Sequence, residues 1–267
     1  MTTTLSASLV LCQRELIRFL RQRNRVIGAL LTPLMFWLLI GSGMGRSFAE
    51  PGAGGAAAGS GYLAYFFPGT VLMILLFTAI FSTISVIEDR REGFLQGVLV
   101  APVGRTAIVG GKVLGGAVLA TGQALLFVLL GWATGIIALT PLTLLATFII
   151  LFVVGVGLTA LALCIAWPMS STQGFHVVMN LFLMPMWFLS GALFPIRDDT
   201  PRLLKALMLA NPLSYALASL RKVMWRGTAD TLPGSLNIWF SVTMAATVLT
   251  VALAIWVARS RSASDAI

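Results

Sequence analysis

The sequence predicts an all-α integral membrane protein with six transmembrane helices, and three observations carry that expectation. Of the 267 residues 58% are hydrophobic and only 10% charged, far from the roughly 25% charged residues of an average soluble domain. No Asp, Glu, Lys or Arg occurs between positions 113 and 196, a run long enough for three crossings at about 20 residues each. Apolar windows of about 19 residues fall at 26–45, 62–87, 113–134, 140–167, 173–194 and 236–258, all free of those four residue types. One such residue at the centre of a span costs on the order of 3 kcal/mol. No alternation of apolar and polar residues suggests a membrane barrel.

Ahead of the first span, residues 1–25 read as an amphipathic interfacial helix. On a helical wheel Leu5, Leu9, Cys12, Leu16, Phe19 and Leu20 fall on one side and Arg14, Arg18, Arg21 and Arg25 roughly opposite. Such a helix is expected to lie flat in the head-group layer, its arginines neutralised by lipid phosphates. A basic segment before an apolar one also outlines a secretory signal, but the apolar run is long for a signal core and no convincing small-residue cleavage site follows, so it reads as retained. Segment 51–61, PGAGGAAAGSG, is low in complexity and expected to be a flexible loop. Loop 88–112 holds a charged cluster, then Phe94, Leu95, Val98 and Leu99 at helical spacing, then Pro102 ending the turn. An apolar stripe without a partner in its own chain either seats in a groove of a soluble protein or lies in lipid, and spacing alone leaves both open. Beyond the fifth span, Gly191 and Pro195 predict a sharp end. In segment 195–235 Asp198 or Asp199 is placed to cap a helix over 201–209, and Asn211 with Pro212 breaks the chain before a second helix over 213–225. Residues 259–267 form a tail.

Basic residues set the expected orientation. Arg14, Arg18, Arg21, Arg23 and Arg25 precede the first span, Arg90, Arg91, Arg105 and Lys112 lie between the second and third, and Arg259 and Arg261 follow the last. The positive-inside rule then places both termini and loop 88–112 in the cytoplasm of a cell-membrane protein, although segment 195–235 carries six basic residues on the side that should be poor in them. The net charge of +9 flanks apolar segments, so lipid head groups rather than nucleic acid are the nearer partner. Cys12 and Cys164 suit neither a disulfide framework nor a metal cluster.

An energy source is hard to find in this chain. Ion-coupled carriers place charged groups inside the membrane, whereas these spans hold Gln123, His176, Asn180 and hydroxyls. A carrier without an ATPase partner remains the alternative reading. The Gly111–Lys112 pair is not a phosphate-binding loop, because Thr106 and Val113 stand where G-x-x-x-x-G-K-[ST] needs Gly and Ser or Thr. No catalytic constellation accompanies the single histidine, so no enzyme activity is expected of the chain itself. Small-residue pairs at Gly41/Gly45, Gly111/Gly115 and Gly131/Gly135 allow close helix packing or dimer contact. Trp132, Trp167, Trp239 and Trp256 lie near span ends as belt anchors.

Loop 88–112 resembles the loop between spans two and three of type-2 ATP-binding-cassette (ABC) permeases, with the approximate pattern E-R-E-x-G-T-x-E-x-L-L-x-x-P-x-x-R followed by G-K. Arg91, Glu92, Gly93, Leu99, Pro102, Arg105, Gly111 and Lys112 match in kind and order, while Phe94 stands where Thr is usual and Gln96 where Glu is usual. FLSGALFPIRDDTPRLLKALMLANPLSYALASLRKVMW, from Phe188 to Trp225, is similar to the family's F-x-S-G-x-x-F-P and N-P-L-x-Y segments through Ser190, Gly191, Pro195, Asn211, Pro212 and Tyr215. Within that family these matches most resemble the small drug, antibiotic-resistance and lipo-oligosaccharide exporters.

The resemblance implies a permease subunit of an ABC exporter for an amphipathic or lipid-linked substrate. It implies two copies of a separate ABC ATPase subunit, docked on Arg91, Glu92, Gly93, Phe94, Leu95, Val98, Leu99, Pro102 and Arg105. ATP and Mg would be bound there, with no cofactor on this chain, and a second permease copy would complete a dimer. Gln173, His176 and Asn180 have two readings, a cavity wall that passes substrate or interhelical hydrogen bonds that fix packing. Pro185 is expected to kink the same helix.

Overall fold

The computed structural model describes residues 2–44, 55–100, 103–196, 200–224, 232 and 234–260. Ten helices account for almost all of them: α1 (Thr2–Arg21), α2 (Arg23–Met44), α3 (Gly55–Arg91), α4 (Phe94–Val100), α5 (Arg105–Ala133), α6 (Pro141–Ala166), α7 (Thr172–Phe188), α8 (Arg202–Ala210), α9 (Pro212–Met224) and α10 (Leu236–Ser260). Helices dominate because a backbone in hydrocarbon must satisfy its own polar groups within the segment. Five of them, α2, α3, α5, α6 and α10, are long and apolar enough to cross a membrane. The α8–α9 pair, bent by 77°, forms a sixth broken crossing or a re-entrant loop.

α3 is the axis of the bundle. Between Tyr65 and Ile87 every side chain is buried except Phe77 and Phe81, which are half-buried. Around it pack α2, α5, α6, α7 and α9. Near one end Trp37, Phe67 and Phe127 form an aromatic cluster, with ring centroids 4.8–5.7 Å apart. The Trp37 indole donates to the Leu63 carbonyl at 3.0 Å.

Glycines set the interhelical spacing. A Cβ at Gly111 would lie 2.6 Å from the Leu11 Cβ and 2.8 Å from the Ser8 carbonyl, and one at Gly115 would lie 2.9 Å from the Glu15 Cβ. The Gly111/Gly115 pair is therefore the seat of α1. Threonines fill the other gaps. Thr159 sits over Gly116, Thr121 over Gly155, and Thr247 over Gly157, which interlocks α5, α6 and α10.

Several expectations change. α3 starts at Gly55, so residues 55–61 of the predicted loop are helical; Ala56, Ala57 and Ala58 carry the best helix propensity of any residue and extend the span upstream. α7 stops at Phe188, not 194, because the chain turns at Gly191, whose φ of 84° ordinary side chains avoid. At 17 residues α7 spans about 25 Å, the lower limit for a crossing. Gly135, at φ 75°, ends α5 rather than packing against a neighbour. Trp239 and Trp167 are core residues, 5% and 4% exposed, whereas Trp132 and Trp256 face outward at 54% and 64%. Asp198 and Asp199 lie outside the described residues, and α8 begins after Pro201 without a side-chain cap.

Gly111→Val is expected to unseat α1. Overpacking of this kind costs about 1–3 kcal/mol. It should lower the melting temperature in detergent and abolish disulfide cross-linking between cysteines placed at Ser8 and Ala107, whose hydroxyl and carbonyl are 3.1 Å apart.

Candidate functional site

The charged end of the bundle is built where α1, α3, α4 and α5 meet. On α3, Ser85 and Asp89 share a face one turn apart, and on α1 Glu15 faces them from among the arginines. Lys112 of α5 closes the group: its Nζ donates to Glu15 Oε1 at 2.6 Å, to Ser85 Oγ at 3.1 Å and to Asp89 Oδ2. Ser85 Oγ donates in turn to Glu15 Oε2 at 2.5 Å. Asp89 is 0% exposed and Lys112 5%.

Arginines of α1 and α2 complete the cluster. Arg14 forks onto both oxygens of Asp89, at 3.0 and 2.6 Å, and Arg18 joins the same carboxylate. Arg18 also reaches Glu88 at 3.0 Å and Glu92 at 3.3 Å, and Arg25 pairs with Glu88. Four carboxylates thus meet four cations. Such neutrality is needed, since an isolated ion loses several kcal/mol on leaving water. The hydrogen bond to Asp89 raises the Arg14 guanidinium further above its ordinary value, and burial, then Glu15, pushes the Cys12 thiol up.

The expected lipid neutralisation of the arginine stripe is corrected here for Arg14, Arg18 and Arg25, which face protein carboxylates. The buried face of α1 is Ser8, Leu11, Glu15 and Phe19, while Leu5, Leu9 and Leu20 stand outward. Helical spacing showed two stripes but not which one α5 would cover. Sequence reasoning missed Glu15, the one acid in a basic helix, which is the local signal that could have found the cluster.

The turn after α3 runs through Glu92 and Gly93, with Gly93 at φ 77°, into α4. The apolar stripe of α4 does have a partner in its own chain. Leu95 is 3% exposed among Leu11, Val86, Ile108 and Val109, and Val98 packs on the same cluster. Outward stand Arg91, Glu92, Phe94, Gln96 and Gly97. Arg105 turns to the C-terminus of α10 and donates to the carbonyls of Ala258 and Arg259 at 3.1 and 2.9 Å. The Leu99 side chain and Pro102 lie outside the described residues. Arg90 and Arg91 hold the α6–α7 connection: Arg90 donates to the Trp167 and Met169 carbonyls, and Arg91 to that of Ser170 at 2.8 Å.

α7 presents Gln173 and Asn180 outward, with His176 half-buried between them. The His176 ring meets Phe81 edge-on at 6.0 Å and lies tilted to Phe175 at 6.2 Å. At the opposite end the Gly191 carbonyl accepts from Tyr65 at 3.0 Å and Arg221 at 2.8 Å. Tyr62 donates to the Leu193 carbonyl, and Ser190 to that of Trp187. Asn211 joins α8 to α9: its Nδ2 donates to the Met186 carbonyl at 2.6 Å and its Oδ1 accepts from the Leu213 amide at 3.0 Å. Pro212 occupies the first turn of α9, as its fixed φ favours, and the Tyr215 hydroxyl donates to the Leu209 carbonyl. Pro195 follows the turn without a helix of its own.

Residues 7–225 match the family model described as ABC-2 type transporter. The chain belongs to the ABC-2 type transporter family. It is similar to a putative transport permease, ycf38, of Cyanophora paradoxa, at 29% identity over 79% of this chain and 72% of the relative. Similarity also extends to the daunorubicin resistance ABC transporter permease protein DrrB1 of Streptomyces coeruleorubidus (24%, covering 85% and 77%) and to nodulation protein J of Rhizobium leguminosarum bv. trifolii (28%, 74% and 73%). This ABC-2 permease is a multi-pass membrane protein.

Truncating one buried charge should cost more than replacing a pair. Lys112→Met alone leaves Glu15 and Asp89 short of a cation, a loss of about 3–5 kcal/mol. Lys112→Met combined with Glu15→Gln should melt closer to the wild type, as read by thermal unfolding in detergent.

Proposed function

We propose that this ABC-2 permease is the membrane half of an exporter, driven by a separate ABC ATPase subunit that docks on the turn formed by Arg91, Glu92, Gly93 and α4. The carrying observation is the tip of that turn. Its apolar residues Leu95 and Val98 face the permease core, while Glu92, Phe94, Gln96 and Gly97 are left outward. A partner pressing there meets a surface braced by α3, α5, α6 and α10 rather than a floppy loop. ABC-2 permeases work with ABC ATPase partners in general, and ATP with Mg belongs on that subunit.

Orientation follows from the basic residues around the turn, which put this end and both termini in the cytoplasm of the cell membrane. A second copy is argued from α7. Polar side chains at membrane depth face protein or water, yet Gln173 and Asn180 point away from their own bundle. A dimer bringing this face to its equivalent covers them and makes them the wall of a substrate pathway. Two ATPase subunits then serve two permeases. An amphipathic substrate, drug-like or lipid-linked, suits a wall of apolar and neutral polar residues. The names of the relatives, daunorubicin resistance among them, favour the same class.

Co-purification with a cognate ABC ATPase subunit tests the reading. Wild type should form a stable complex with stimulated ATP hydrolysis, and Glu92→Arg combined with Gln96→Arg should weaken it about tenfold or more. Lys222→Glu, at the far end of the molecule, should leave the complex intact. Equal binding by the double variant would move the docking surface elsewhere.

A further inference from the structure

Phe94 is an exposed aromatic on a charged tip, and its neighbours explain why it is held there. The Arg14 guanidinium lies 3.7 Å above the ring centroid. Arg14 has no freedom to leave, since both of its terminal nitrogens are on Asp89, which Lys112 and Arg18 grip as well. One ring face is therefore covered by a flat cation, in the geometry of a cation–π contact, while the residue stays 36% exposed. Leu95, next in sequence, points the opposite way into the core at 3%. Thus the buried cluster orients the ring outward as a fixed knob.

We infer that the Arg14–Phe94 stack is the partner-selecting element of the docking turn, fitting an ABC ATPase subunit whose surface offers an apolar socket with a cation at its rim for Glu92. The inference rests on the docking reading above and adds what the partner must look like. Charge decides between a protein socket and a lipid head group. Two residues before the ring, Glu92 pairs with Arg18 at 3.3 Å yet keeps its side chain 61% exposed, and an anionic membrane surface repels that exposed carboxylate. The positive charge of Arg14 is already neutralised by Asp89, so it adds no attraction for phosphate. Rigid aromatic anchors also lose little conformational entropy on binding, and such residues dominate interface energetics. Where this position carries threonine, as in the pattern this loop resembles, a partner meets a small polar group. Phe94 requires a different socket, so the stack separates cognate from non-cognate ATPase subunits. Arg14 is a positioning residue, acting through the ring.

The test uses the full-length chain in nanodiscs and an ABC ATPase subunit that co-purifies with it, with dissociation constants read for wild type, Phe94→Thr, Phe94→Tyr, Arg14→Lys and the Arg14→Lys/Phe94→Thr double variant. Phe94→Thr should weaken binding about tenfold or more, and Phe94→Tyr should bind like wild type. Lysine keeps the charge but not the fork or the flat face, so Arg14→Lys should weaken binding while the thermal midpoint of Phe94→Thr, which buries nothing new, stays at the wild-type value. The double variant should be no weaker than Phe94→Thr, since both act through one ring. Wild-type binding by Phe94→Thr, or losses that add in the double variant, overturns the inference and leaves the docking reading standing. A Phe94→Thr defect that appears only as lost association with anionic vesicles assigns the ring to lipid and overturns it too. Failure of the wild-type chain to bind any ABC ATPase subunit overturns both.

Discussion

A fully buried carboxylate in a bundle nearly free of charge constrains everything at one end of this molecule. Asp89 sits at 0% exposure on the last turns of the central helix, where an unpaired charge is prohibitive. It can stay ionised only if cations converge on it, and three come from two helices: Arg14 and Arg18 from α1, and Lys112 from α5. That demand fixes α1 against the bundle, and with α1 the residues that cover the turn between α3 and α4. The glycines at 111 and 115 then follow as a requirement. The Lys112 ammonium meets Glu15 at 2.6 Å only because the two helices touch backbone to side chain at those positions.

How much of this was legible depends on which physics was involved. Span placement was legible because charge is excluded from hydrocarbon, and an absence over eighty positions is a signal one chain can carry alone. Helix ends were less so. The 55–61 segment reads as linker by composition, yet its alanines continue a helix already nucleated by α3. The Gly191 turn was visible as a motif, but not that the helix before it would stop at Phe188, six residues short of the expected span end at 194. Partner choice was the least legible. A helical wheel separates faces but does not say which face meets protein, so Leu95 and Val98 looked free until Leu11, Val86 and Ile108 covered them. Arg14, Arg18 and Arg25 looked lipid-facing for the same reason. Pairing between residues seventy positions apart is a property of the tertiary fold, and its local hint, the lone acid Glu15 among the arginines, went unread.

The opposite end holds a buried cation of its own. Arg221 is buried there, and among the described residues it meets the ring face of Tyr65 at 4.1 Å and the carbonyl of Gly191 at 2.8 Å. A carbonyl freed by a left-handed turn is one of the few acceptors an apolar bundle can offer. The turn also lets the chain approach α3 closely, since a Cβ at Gly69 would lie 2.8 Å from the Ala192 Cβ. Tyr62, Tyr65, Asn211 and Ser214 all donate to carbonyls at the end of α7 or in the turn beyond it. The bent pair α8–α9 is thereby tied to α7 and α3 rather than left as a cap.

Both ends converge on α7. Its buried strip is a single row, Phe175, Met179, Leu183 and Trp187, whereas α5, α6 and α10 interlock through three glycine–threonine contacts. Such a helix is held mainly at its ends. The far end is pinned by the carbonyl acceptors just described. The near end is pinned through Arg90 and Arg91, which grip the carbonyls of Trp167, Met169 and Ser170 where α3 runs into the proposed docking turn. A push on that turn therefore reaches the α6–α7 connection within two residues, without passing through the bundle core. If ATPase force enters at Glu92 and Phe94, the element with the shortest mechanical path and the weakest lateral hold is the one that carries Gln173, His176 and Asn180. The polar face expected to meet substrate is then also the face best placed to move.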